Sequence, residues 1–68
     1  MYREIRIKIG KNLKYIRENK GISINKLSVL CKVSASTISK IENTTYNFRL
    51  YQLEKIITAL EININDIF

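Results

Sequence analysis

The sequence predicts an all-α chain folded as a compact bundle of five helices, the second and third forming a helix-turn-helix. Three observations predict it. Between Ile22 and Asn43, two serines, Ser23 and Ser34, each open a short apolar repeat. Ahead of them, Ile5, Ile9, Leu13 and Ile16 fall on one helical stripe. Behind them, Leu50, Leu53, Ile56, Ile57 and Leu60 form another. Spacing of three and four residues is the period of a helix with one buried face.

Helix 1 is expected from about Glu4 to Lys20. Ile5, Ile7 and Ile9 alternate as in a strand, but the helical stripe continues past Ile9 and the alternation does not. Gly21 then supplies a left-handed residue that ends the helix cheaply. Gly10 sits mid-helix, where it costs about 1 kcal/mol against alanine. A close helix–helix contact would justify that cost.

Helices 2 and 3 are expected at Ser23–Cys31 and Ser34–Asn43. A serine hydroxyl accepts a bond from a backbone N–H one turn in, which a helix start otherwise leaves unpaired. Leu27, Leu30 and Cys31 mark the buried side of helix 2, and Ile38 and Ile41 that of helix 3. Ile22 with Leu27, and Val33 with Ile38, are spaced as hydrophobic staples. Cys31 is expected in the core, with a redox role as the alternative; the chain has no histidine to activate a thiolate. Helix 3 leaves Ala35, Ser36, Thr37, Ser39 and Lys40 outward, small polar side chains with one cation and no acid until Glu42. A surface made only for solubility mixes both signs. This one suits approach to a phosphate-lined groove.

The segment Asn43 to Phe48 is a polar loop with two aromatics. Its Asn43, Thr44 and Thr45 suit either phosphate contact or plain turn chemistry. Helix 4 follows and ends near Glu61, without a glycine stop. Helix 5 is expected from Asn63, where Asn63 and Asp66 have capping-box spacing and Ile62 can staple onto Ile67. That leaves Phe48, Ile64, Ile67 and Phe68 as candidate dimer-interface residues, with Phe68 closing the monomer core as the alternative.

At 68 residues the chain is expected to be one domain, residues 1–68. A chain this size buries only about 60% of the surface its unfolded form exposes. The net charge is +6 and unevenly spread. Residues 1–20 hold seven cations (Arg3, Arg6, Lys8, Lys11, Lys14, Arg17, Lys20) against two acids, and residues 49–68 hold two against three. A basic pole of this kind is the footprint of a polyanion binder, or equally a solvated, self-repelling surface. No apolar run reaches membrane-spanning length, and the charged N-terminus does not read as a signal peptide. One cysteine offers no disulfide framework, so a reducing cytoplasm is expected.

Taken together, Gly10, Leu13, Arg17, Gly21, Ser23, Leu27, Val33-Ser34, Thr37-Ile38-Ser39, Ile41-Glu42-Asn43, Leu50, Leu53, Ala59-Leu60, Asp66 and Phe68 resemble the lambda-repressor-like helix-turn-helix family, the Cro/repressor or XRE type. The resemblance runs from about Ile9 to Phe68. It implies a sequence-specific duplex-DNA-binding transcriptional regulator, a repressor acting as a homodimer on an inverted repeat. Phage or mobile-element repressors and restriction–modification controllers are its stand-alone members. By that resemblance helix 3 lies in the major groove, with Ala35, Ser36, Thr37 and Lys40 reading bases. Arg17, Ser23, Asn25, Ser34, Ser39, Asn43 and Thr44 would contact phosphates. Arg17, expected to face outward, would also pair with Glu42 and tie helix 1 to helix 3, the alternative being an ordinary surface pair. Two departures stand out. Lys32 replaces the family's turn glycine, and Ile24 replaces a phosphate-touching glutamine.

Nothing in the sequence points to catalysis. There is no histidine, no paired-carboxylate motif and no phosphate-cradling glycine loop. No metal site, cofactor or small-molecule ligand is expected, and no membrane partner. The alternative function is an antitoxin or protein-interaction module on the same fold, which the apolar C-terminus favours and the basic N-terminal half disfavours. Single-stranded RNA binding is weaker still, because the tyrosines are scattered.

Overall fold

The computed structural model describes residues 2–43 and 47–68. Four α-helices, α1 (Tyr2–Asn19), α2 (Ile24–Cys31), α3 (Ala35–Asn43) and α4 (Leu50–Leu60), are followed by a short 3-10 turn, Ile64–Ile67. The expected fifth helix is therefore corrected to a single tight turn. Its bonds run three residues back, Asp66 N–H to the Asn63 carbonyl at 2.9 Å and Phe68 N–H to that of Asn65 at 3.4 Å. The Asp66 carboxylate closes the start by accepting from Asn63 N–H at 2.9 Å. This tighter winding drops Ile67 fully into the core, where Asn12 of α1 donates to its carbonyl at 2.8 Å.

The core is Ile9, Leu13, Leu27, Cys31, Val33, Ile38, Ile41, Leu53, Ile56, Leu60 and Ile67. Helix α1 packs on α3 and on the terminal turn, while α2 packs on both α3 and α4. Ile22, Ile24, Phe48 and Ile62 are half-buried against this cluster. Three stripe residues are exposed, and Ile16 and Ile57 are half-buried against the core. Leu30 and Ile5 are about half exposed, and Leu50 is largely exposed. An eight-residue α2 has room to turn only Leu27 and Cys31 inward. Leu50 is the first residue of α4 and sits ahead of that helix's packed turns.

The ends of the helices show why they stop. After α1, Ile22 N–H reaches back to the Arg17 carbonyl at 3.1 Å and Gly21 N–H to that of Glu18 at 3.0 Å. Gly21, at φ +69°, provides the left-handed step this closure needs. Lys32 takes the same conformation after α2, at φ 59°, and Glu61 after α4, at φ 56°. Neither is glycine, and the left-handed region costs a residue with a Cβ about 1–2 kcal/mol. Lys32 is offset in part by its N–H bond to the Ser28 carbonyl at 2.9 Å.

Candidate nucleic-acid interface

Each helix of the pair starts on its serine. Ser23 Oγ accepts from Lys26 N–H at 3.0 Å, and Ser34 Oγ accepts from Thr37 N–H at 3.1 Å. Ser34 also donates to Thr37 Oγ1 at 2.8 Å, so the Thr37 hydroxyl is engaged at the cap. The tight turn between these caps, through left-handed Lys32, sets α3 across α2.

Helix α3 is divided sharply. Ile38, Ile41 and Glu42 are buried. Ser36, Lys40 and Asn43 are exposed, with Ala35, Thr37 and Ser39 half-exposed beside them. Its single acid is the buried one, so the outward surface carries hydroxyls, an amide and a cation. Ser23 and Asn25 are exposed at the start of α2 and Ser34 at the start of α3. The assignment to Thr44 lies outside the described residues.

Two contacts brace α3 from behind. At Gly10 the backbones of α1 and α3 meet. A Cβ there would collide with the Ile41 carbonyl oxygen and lie 3.3 Å from the Glu42 Cα. One side-chain layer further on, Arg17 Nε donates to Glu42 Oε2 at 2.8 Å and Nη2 to Oε1 at 3.1 Å, a two-pronged pair. Its Nη1 donates to the Ile22 carbonyl at 2.7 Å, tying in the α1–α2 loop. Arg17 is 7% exposed and Glu42 6%. The expectation that Arg17 faces outward is thus corrected. The guanidinium turns inward onto Glu42 and the Ile22 carbonyl, which makes it a brace between α1, α3 and the α1–α2 loop. The hydrogen bond to Glu42 raises the Arg17 pKa above the usual arginine value, more than burial lowers it.

Two neighbouring contacts escaped the sequence reading. Lys14 of α1 donates to Asn43 Oδ1 at 3.4 Å. Asn43 Nδ2 in turn donates to the Ser39 carbonyl at 2.9 Å. The spacing of Lys14 from Gly10 was the available signal.

The candidate dimer residues separate. Ile67 is 0% exposed and belongs to the monomer core, a correction to its assignment. Phe48 is half-buried against that core. Ile64 and Phe68 are about half exposed, so Phe68 does not close the core. Near Ile64, an apolar cleft of about 250 Å³ is lined by Leu50, Leu53, Ile57 and Ile64 with Glu54 and Thr58. Cys31 is buried, as a core residue would be. No cluster of three or more potential metal ligands occurs among the described residues. No described helix is long and apolar enough to cross a membrane.

Comparison with known proteins agrees with this geometry. A family model described as Helix-turn-helix matches residues 13–67. The HTH-type transcriptional regulator SlrR of Bacillus subtilis (strain 168) is 38% identical over 61 residues, 88% of this chain. The chain spans 40% of that relative's length. The crystal structure of the restriction-modification controller protein C.AhdI from Aeromonas hydrophila superposes with a TM-score of 0.86 at 30% identity. That match covers 93% of this chain and 96% of the other.

Proposed function

We propose, from the premise that this chain belongs to the helix-turn-helix family matched over its residues 13–67, that it is a sequence-specific duplex-DNA-binding transcriptional regulator. The observation that carries the proposal is the outward face of α3, free of acids and braced from behind by Gly10 against Ile41 and by Arg17 on Glu42. A short-side-chained helix of this kind enters a major groove without steric or charge conflict.

In that groove Ser36 bonds to base edges and Lys40 donates to guanine O6 or N7. Ala35 offers only a methyl contact to thymine. Thr37, engaged by Ser34, adds its methyl group and leaves capping as its main duty. Ser23, Asn25, Ser34, Ser39 and Asn43 set the register through phosphates. With so few direct contacts, DNA shape supplies part of the specificity.

The acting unit is a homodimer on an inverted repeat, its half-sites about 34–36 Å apart. The exposed Leu50 and Ile64 on the apolar cleft, and the exposed Phe68, support this, with half-buried Phe48 as a further candidate. Regulation is by repression, since occupying an operator excludes other proteins and asks nothing of the domain beyond affinity.

Selection of binding sites from a random duplex pool with the purified chain tests the proposal. A consensus with two-fold symmetry supports DNA readout and dimer together. Failure to enrich any sequence, even in dilute buffer, overturns it. A second reading, a protein-binding module, is favoured by Val29 and Leu30, which lie exposed on α2 at 76% and 49%. Salt separates the two. Binding through about six phosphates weakens roughly a thousandfold between 50 and 200 mM salt, whereas apolar docking barely responds.

A further inference from the structure

Along α1, Arg3, Ile7, Gly10, Lys14 and Arg17 recur at alternating spacings of four and three residues. Residues so spaced lie on one helix face. Gly10 and Arg17 meet the recognition helix directly, at Ile41 and Glu42. Lys14 lies between them, half-exposed, and its ammonium donates to Asn43 Oδ1 at 3.4 Å. Asn43 is itself fixed, because its Nδ2 donates to the Ser39 carbonyl at 2.9 Å and lies 3.4 Å from the Ser39 hydroxyl. A chain Lys14–Asn43–Ser39 therefore runs along the outer edge of the second half of α3.

An ammonium has three N–H groups, and Asn43 takes one. The other two have no partner among the described residues, and the nearby carboxylate of Glu42 is occupied by Arg17. A cation on a different helix is thereby pegged, unneutralised, to the edge of the reading helix. Pegging reduces the side-chain freedom still to be lost on binding.

We infer that Lys14 is a further DNA-positioning residue, its ammonium held by Asn43 so that it contacts a backbone phosphate beside the major-groove site. The inference rests on the DNA-binding reading above. It extends the interface from the helix pair to α1.

The test compares wild type with Lys14→Gln, Lys14→Arg and Lys8→Gln. Lys8 is exposed on α1, two residues from Gly10 and on the opposite side of the helix. It loses the same charge and controls for it. Affinity is measured by fluorescence anisotropy on a selected duplex and on a random one, from low to moderate salt, with a thermal melt for each variant. Lys14→Gln is expected to lower the slope of log affinity against log salt by about one. It should weaken both duplexes by the same factor and leave the melt unchanged. Lys14→Arg and Lys8→Gln should keep the wild-type slope. If Lys14→Gln keeps that slope too, Lys14 is only a structural peg and the inference fails. It fails equally if Lys8→Gln lowers the slope as much. A wild type that binds no duplex overturns the DNA-binding reading as well, so the two failures are distinguishable.

Discussion

Gly10 of α1 lies so close to the carbonyl of Ile41 that no side chain fits between them. A residue that weakens an isolated helix interior is the one the fold requires there. Gly10→Ala should gain about 1 kcal/mol in helix propensity, yet lose more to overpacking against rigid backbone, which typically costs about 1–3 kcal/mol. Urea denaturation should show net destabilisation. A stabilised variant would mean that α1 and α3 part easily, against the contact described.

The Arg17–Glu42 pair gives a second prediction. Removing one partner of a buried pair strands the other charge, at a cost of about 3–5 kcal/mol. Glu42→Ala should therefore leave little folded protein, whereas a double replacement, Arg17→Met with Glu42→Leu, should recover much of the loss. Equilibrium melts of the three variants measure this. The raised Arg17 pKa also fixes a sign. Its stabilisation is fully present below the unfolded arginine value and is lost only as pH rises through the higher folded one. This pair's arginine therefore adds no pH dependence between neutral and mildly alkaline buffer.

Lys40 and Ser36 are the sharpest test of base reading. Lys40→Ala should cost about 1–3 kcal/mol of binding and relax preference at one operator position. Ser36→Ala should change preference at another position, with a smaller loss. Site selection with each variant provides the readout. Uniform weakening across all sequences would reassign Lys40 to a phosphate.

Lys32 and Glu61 hold left-handed conformations that glycine adopts freely. Lys32→Gly should relieve about 1–2 kcal/mol of strain, offset by roughly 0.5–1 kcal/mol of added freedom in the unfolded chain. The net gain, about 0–1.5 kcal/mol and centred near 0.75, should raise the melting temperature by a few degrees. Glu61→Gly should behave alike.

Ile67 and Phe68 are adjacent but should respond oppositely. Ile67→Ala, in the core, should cost about 2–5 kcal/mol of stability at any protein concentration. Phe68→Asp, on the exposed side, should leave the monomer folded and abolish the proposed dimer, as seen by analytical ultracentrifugation.

Most of the helical architecture was legible because its signals are local. The caps at Ser23 and Ser34 and the glycine stop at Gly21 each follow from one or two residues. What was illegible depends on partners far along the chain. A charged side chain is normally solvated, which points Arg17 outward. Only Glu42, 25 residues on, turns it in. The resemblance implied that pairing but not the depth at which it is made. Leu30 fits the periodic pattern as well as Leu27, and periodicity does not reveal how much of a two-turn helix its neighbours cover. The last segment carried a correct start signal at Asn63, yet capping fixes where a turn begins and not how tightly it winds. The spacing of Ile67 suits both a staple and an interface, and burial places it in the core.

One consequence follows from the position of α1. It grips α3 through Gly10 and Arg17, and through Asn12 it also holds the terminal turn that displays Ile64 and Phe68. The element that would face the operator and the element that would face a second subunit are thus mounted on a common strut. In the proposed dimer, the distance between the two reading heads is then set by a stiff helix and not by a linker, so inserting or deleting one base pair between the half-sites should be tolerated poorly.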